Sequence, residues 1–191
     1  MTTYQNANDR PAGVTSEGRL MVEAVLRDYQ YHVCTKNEKS FTVRETVTPV
    51  TGADVFLTIQ NTHDRPLQIQ AVRIYDALAA GEHINFMLGA NYTIGGTHAA
   101  LVSVNKKRSS TLLASSYSTI EGGVQITGHA GVTFMTKECV ANTHYTVNLK
   151  NRPVVLAQNR AFDLECETGA ANSITVEVDF CWLEPSDYTD N

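Results

Sequence analysis

Residues 159–182 read NRAFDLECETGAANSITVEVDFCW. Two runs alternate apolar and polar residues, and a short polar stretch joins them. Successive side chains of an extended backbone point to opposite faces, so this alternation marks strands with one face in a core. Read locally, the two runs make one β-hairpin. Ile174, Val176, Val178, Phe180 and Trp182 form one face, answered from the other strand by Phe162, Leu164 and Cys166. The opposite face carries Asp163, Glu165, Glu167, Glu177 and Asp179. So many acids invite two chemical readings: a calcium site, or a glycosidase pair with carboxyls ~5–10 Å apart. Catalytic acids need raised pKa values, which come from burial, whereas alternation places these five in water. They are expected to wet one face of a sheet and to discourage edge pairing.

Most of the chain is written in the same style. LMVEAVL and YQYHVC come first, then FTVRETVTPV, ADVFLTIQ and LQIQAVRIY. Asn61, Asp64 and Pro66 form a turn signal between the last two, since Asn and Asp bond their own backbone and Pro restricts φ. Val55, Leu57 and Ile59 alternate, with Phe56 out of phase, as in a strand at a sandwich corner or a subunit interface. In the next run Leu67 and Ile69 share one phase and Val72 and Ile74 the other. A bulge near Gln70 or Ala71 would keep all four on the core side. Residues 77–130 are less regular. One strand is expected in EHINFMLGANYTIGG and a short helix near Leu112 to Ser116, with Gly95-Gly96 and Gly122-Gly123 as punctuation among long connections. No stretch keeps a 3.6-residue period for twelve residues, so no long helix is expected. Eight to ten short strands with turn signals at irregular spacing read as an all-β protein, a β-sandwich or barrel, with a jelly-roll-like sandwich the expected architecture.

The 191 residues fit one domain that buries roughly 70 % of its unfolded surface. Residues 1–19 are polar, contain Pro11, Gly13 and Gly18, and read as an extended N-terminal arm. Residues 20–184 form the sandwich, and 185–191 an acidic tail. A net charge of −5 argues against a nucleic-acid partner. No apolar run is long enough to span a membrane, so no membrane partner is expected. The first twenty residues lack the apolar core of a signal peptide, which places the protein in a reducing cytosol. Cys34, Cys139, Cys166 and Cys181 are then thiols; Cys166 and Cys181 fall on opposite faces and cannot bridge within the hairpin. No two of the six histidines fall within five residues, no nucleophile elbow or phosphate loop is present, and no metal or cofactor is expected. The basic cluster Asn105–Ser110, NKKRSS, reads as a solvated loop, or as a docking loop for an acidic partner or a weak phosphate contact, with too few charges for nucleic acid.

DVFLTIQNTHDRPLQIQAVRIYD (54–76) resembles the strand, Asn-Thr turn and strand of small β-sandwich structural proteins of tailed bacteriophage virions. So do GGTHAALVSVNKKRSS (95–110), RPVVLAQNRAFDLECETGAANSITVEVDFCW (152–182) and SEGRLMVEAV (16–25) after a loose arm. The resemblance covers roughly residues 16–183 and is one of style and order. It implies a capsid decoration (cement) protein that binds the major capsid protein and itself, trimers favoured, on the capsid surface of a virion assembled in the host cytoplasm. It implies no catalytic residue and no cofactor. Tyr4 and Arg10 in the arm and Lys106, Lys107 and Arg108 in the basic loop are the candidate partner-binding residues. Two other readings stand beside it. One is a tail or baseplate module that binds a host receptor or glycan, which calls for clustered exposed aromatics. The other is an enzyme on the same scaffold, which calls for converging titratable groups in a pocket.

Overall fold

The computed structural model describes residues 13–14, 20–21, 38–50, 54–76, 82–149, 153–167 and 173–183. Its strands are β1 (Gly13–Val14), β2 (Leu20–Met21), β3 (Ser40–Val47), β4 (Asp54–Asn61), β5 (Leu67–Asp76), β6 (Glu82–Ala90) and β7 (Gly95–Ala100). They continue with β8 (Val104–Asn105), β9 (Ser118–Thr127), β10 (Val132–Cys139), β11 (Thr143–Asn148), β12 (Val154–Leu156), β13 (Arg160–Cys166) and β14 (Ile174–Trp182). A 3-10 turn at Ala114–Ser116 stands where a short helix was expected.

Two six-stranded layers carry the fold. One runs β10-β6-β13-β4-β9-β7; the other runs β11-β5-β14-β3-β8, with β12 pairing β5 end to end with β11. The connectivity becomes plain when the eight body strands are taken in chain order: β3, β4, β5, β6, β10, β11, β13, β14. The first pairs the eighth, the second the seventh, the third the sixth and the fourth the fifth, all antiparallel. A long double ribbon wrapped on itself in this way is a jelly roll. Strands β7, β8 and β9 are an insertion between β6 and β10. It widens the first sheet beyond β4 and the second beyond β3.

The core lies between the layers. Phe41, Ile69, Ile74, Phe86, Phe162 and Phe180 are fully or almost fully buried in one cluster with Leu57, Ile59, Val72, Leu164, Val176, Val178 and Trp182. Each such side chain contributes about 1.5–3 kcal/mol of hydrophobic stabilisation. Phe180 stacks on Phe41 at 5.8 Å, and Trp182 meets both edge-on.

The bulge expected in β5 is present. Asp179 opposes Ala71 and Phe180 opposes Ile69, so Gln70 is skipped, and Leu67, Ile69, Val72 and Ile74 all face inward. Phe56 is explained in the same way. Leu164 opposes Leu57 and Glu165 opposes Val55, so Phe56 is the bulged residue and joins the core, while Val55 is turned to the outer face. The clean alternation expected of Val55 with Leu57 is therefore broken.

Three further expectations are corrected. Residues 159–182 are not a hairpin: β13 pairs β4 and β6, whereas β14 pairs β3 and β5. The polar stretch crosses from one layer to the other, so both runs become central strands. Asp163, Glu165 and Asp179 are not in water but buried, at 0, 7 and 5 % exposure. Side chains from distant segments, Tyr92 over Asp163 and Lys106 over Asp179, lie on the outer faces at these positions, which alternation within one strand does not report. Finally, Gly122-Gly123 does not interrupt a strand but lies inside β9. A Cβ on Gly123 would stand 2.2 Å from Thr97 O, and one on Gly122 2.7 Å from Leu101 Cδ1, so the pair admits β7 and its following loop at close range.

The backbone of Val14 and Gly13 pairs with Leu20 and Met21, across the boundary drawn between arm and body. The rest of 1–19, and with it Tyr4 and Arg10, lies outside the described residues, as do 22–37 with Cys34, and 185–191. Cys139, Cys166 and Cys181 are buried thiols.

Candidate functional site

The polar side chains gather in three places. The first is a cleft at one end of the sandwich, about 280 Å3 in volume, lined by Lys39, His63, Arg65, Tyr117 and Trp182. The β4–β5 turn builds one wall. Asn61 Oδ1 accepts the His63 amide at 3.1 Å, and Asn61 Nδ2 donates to Arg65 O at 2.9 Å and Leu156 O at 3.0 Å. This is the side-chain-to-backbone turn that Asn favours. Thr62 Oγ1 donates to Tyr117 O at 2.9 Å, which ties the turn to the end of the 3-10 segment. The Tyr117 ring lies 4.6 Å from His63 and 5.4 Å from Trp182. His63 Nδ1 is 2.6 Å from Asp64 Oδ1. The end of β14 is fastened here: Trp182 N donates to Lys39 O at 3.2 Å and Leu183 N to Pro66 O at 3.0 Å.

The second place is the outer face of the β3–β14–β5 sheet. Asp179 accepts hydrogen bonds from Thr42 Oγ1 at 2.6 Å and Arg73 at 2.7 Å, and Lys106 Nζ stands 2.9 Å away. Burial alone would raise the Asp179 pKa; the Arg73, Thr42 and Lys106 contacts outweigh it and hold the carboxyl below its ordinary value. Lys107 Nζ pairs with Glu38 at 2.5 Å, and Ser110 Oγ donates to the same carboxylate at 2.8 Å. Glu177 lies between Arg44 and Arg73, at 3.9 and 3.7 Å. Two of the three basic-loop candidates, Lys106 and Lys107, are therefore tied down within the chain, and Arg108 is exposed.

The third place is the outer face of the other sheet, where Tyr92 and Ile94 pack against Val55, Met87 and Ile126. Tyr92 OH donates to Asp163 Oδ1 at 3.0 Å, and Gln60 Nε2 donates to Tyr92 O at 3.1 Å. Asp163 Oδ2, His129 Nδ1 and Thr58 Oγ1 are buried without a hydrogen bond of good geometry. Burial pushes the Asp163 pKa up, with Glu165 adding to the rise; Thr58, Tyr92 and His129 oppose it. Beside it, Glu165 accepts from Asn85 at 2.9 Å, and Asn85 accepts from Thr136 at 2.6 Å, a row across β13, β6 and β10. A raised carboxyl pKa is what an acid catalyst requires, but Asp163 is sealed from solvent. Among the described residues, no three His, Cys, Asp or Glu side chains converge as metal ligands.

Sequence reasoning found the turn but missed the cleft, whose five lining residues come from four separate segments. The buried acids were placed on the wrong side of the solvent boundary. The one available signal was company: Asp179 is flanked by Val178 and Phe180, both in the inward phase of the strand.

Exposed apolar side chains are distributed unevenly. Val132 and Phe134 lie on edge strand β10, Val140 just past it and Val155 on β12, at 73, 42, 58 and 43 % exposure. Val102, Val104 and Leu113 lie on the insertion at the opposite side, at 83, 68 and 57 %. No helix among the described residues is long and apolar enough to cross a membrane. Compared with protein-family models, curated proteins and solved structures, the chain matches none.

Proposed function

We propose that the chain is a structural subunit of a phage virion, a capsid decoration protein that binds the shell and its own copies through the lateral edges of the jelly roll. The observation that carries this reading is the placement of its exposed large apolar side chains. All but Val50 of those described lie on the two side edges and the insertion. Unpaired edge strands offer backbone donors and acceptors, and apolar residues on them are what a neighbouring subunit covers. The strand order is one used by viral capsid proteins, although a fold alone hosts many functions. The sequence resemblance over 16–183 points the same way. The buried acids are engaged in holding segments of the body together, as a rigid building block requires.

The two apolar edges are on opposite sides, so contact between copies is head-to-tail, with one edge of a copy meeting the other edge of the next. Val132→Asp disables the first edge and Val102→Asp/Val104→Asp the second. Each buries an unpaired charge in the contact and weakens self-association at least about tenfold, or 1.4 kcal/mol. Sedimentation velocity on the full chain checks this. Each variant alone is expected to run as a folded monomer. Mixed in equal amounts, they should form a pair and nothing larger, because each keeps one sound edge. Association of either variant as strong as that of the wild type contradicts the edge reading.

A further inference from the structure

Contact through the lateral edges leaves the broad outer face of the second sheet open. Two cross-strand rows run over β3, β14, β5 and β11 on that face. Thr46, Thr175, Tyr75 and His144 form one; Arg44, Glu177, Arg73 and Thr146 form the next. A shallow pocket of about 160 Å3 opens where the rows meet, lined by Arg44, Arg73, Tyr75, His144, Thr175 and Glu177. We propose that this pocket binds an acidic sugar, a pyranose ring that carries a carboxylate.

The ring pair is the first reason. Tyr75 and His144 stack at 4.3 Å with 28° between their planes. The imidazole is covered on one side by Tyr75, and His144 is exposed on edge strand β11. Among the described residues, no side-chain hydrogen bond engages the Tyr75 hydroxyl or either His144 nitrogen. An aromatic surface with open polar groups at its rim suits a ligand that has one face of C–H groups and a girdle of hydroxyls, which describes a pyranose.

Charge is the second reason. The Arg44 side chain is 66 % exposed, and its one ion pair among the described residues is with Glu177 at 3.9 Å, longer than a hydrogen bond. Its planar fork keeps its donors for a carboxylate, which it grips at two points. Arg73 is engaged by Asp179 at 2.7 Å and stands 3.7 Å from Glu177, so it serves as a wall. Lys106 also meets Asp179. Three cations therefore face two carboxylates, and the balance favours an anionic ligand.

The third reason is spacing. Adjacent strands lie about 4.8 Å apart, so the first row repeats a small polar group at each strand. The Thr46 and Thr175 hydroxyls share one hydrogen bond at 2.9 Å, which leaves each with further bonding capacity. A ligand with several hydroxyls matches such a row, whereas a simple anion would use Arg44 and ignore the rings. The pocket is smaller than the about 300–1,000 Å3 of sites that enclose drug-sized ligands, so it seats one sugar ring with the rest of a glycan over the open sheet. A ligand this small binds one site with a Kd on the order of 1 mM. Copies repeated over a shell would add avidity, and only that gain rests on the assembly reading.

Saturation-transfer NMR on the full chain tests the site, with methyl glucuronide, methyl glucoside and acetate as probes. The wild type is expected to bind methyl glucuronide at about 1 mM and the other two at least about tenfold more weakly. Arg44→Gln should bring methyl glucuronide down to the level of methyl glucoside. His144→Ala should weaken both sugars while Arg44 stays in place. Both side chains are exposed, so circular dichroism and the thermal midpoint of these variants should match the wild type. Tyr75→Phe, which removes only a hydroxyl, is expected to weaken both sugars by a smaller factor. No saturation transfer to methyl glucuronide at about 10 mM, ten times the expected Kd, would overturn the proposal. Acetate bound as tightly as methyl glucuronide would overturn it too, because the arginine alone would then be holding an anion. So would binding left unchanged by both Arg44→Gln and His144→Ala, which would place the sugar elsewhere on the chain. Sugar binding is read on a single chain, so loss of self-association leaves it untouched, and its failure leaves the edge reading standing.

Discussion

Asp179→Ala is expected to cost about 2–4 kcal/mol. Removing one partner of a buried ion pair costs about 3–5 kcal/mol, because the surviving charge stays desolvated. Here Arg73 is 45 % exposed and can return partly to water, whereas Lys106, at 14 %, cannot, so the lower part of that range is reduced further. The loss also frees the Thr42 hydroxyl and unfastens the loop that follows β8 from the sheet. Urea denaturation at neutral pH measures the cost. The pH dependence identifies its source. The folded carboxyl has a lowered pKa, so its contribution is present above the ordinary carboxylate value of ~3.9 and is lost as pH falls through the folded value. The variant should therefore differ most from the wild type at neutral pH and converge with it in acid. A uniform offset at every pH would mean that packing, and not charge, was lost.

Asp163→Asn is expected to act in the opposite direction. In the fold this carboxyl has a raised pKa, so its contribution to stability is full below the ordinary carboxylate value and declines as pH rises through the folded value. The asparagine keeps an acceptor for Tyr92 OH and brings an amide donor towards Thr58, which now lacks a well-made hydrogen bond. A buried polar atom left unsatisfied costs about 1–3 kcal/mol, and the substitution should recover roughly 1–2 kcal/mol of it at pH 8. The gain should shrink towards pH 4, as the wild-type carboxyl takes up its proton. Thermal unfolding of both proteins across that range is the check. An asparagine variant less stable than the wild type at pH 8 would show that the ionised carboxylate is held by the fold.

These two acids also mark the limit of what the sequence discloses. Alternation located most of the body strands and their inward residues, because a half-buried strand must alternate whatever its partners are. The phase change in LQIQAVRIY located the bulge at Gln70 for the same reason. Partner choice is a different matter. Residues 160–166 and 174–182 have the pattern of a hairpin, yet a connection of this length closes a hairpin or crosses between layers equally well. Only the pairing of β13 with β4 and β6 decides between them. Solvent exposure of the outer face is likewise not a property of the strand. It depends on whether Tyr92, some seventy residues away, folds over Asp163, and whether Lys106 folds over Asp179. The cleft was out of reach for that reason too: Lys39, Tyr117 and Trp182 come together only once the jelly roll is wound. Lys106 and Lys107, conspicuous as a basic run, are mainly the near ends of ion pairs whose acids lie far off in the chain.

The central claim is that this jelly roll coats a shell. Negative-stain imaging of virions with antibodies raised against the full chain tests it most directly, with particles that lack the protein as the comparison. Label repeated over the capsid surface, and absent from the comparison particles, is the predicted result. Label confined to the tail or baseplate, or particles that carry none, would contradict it.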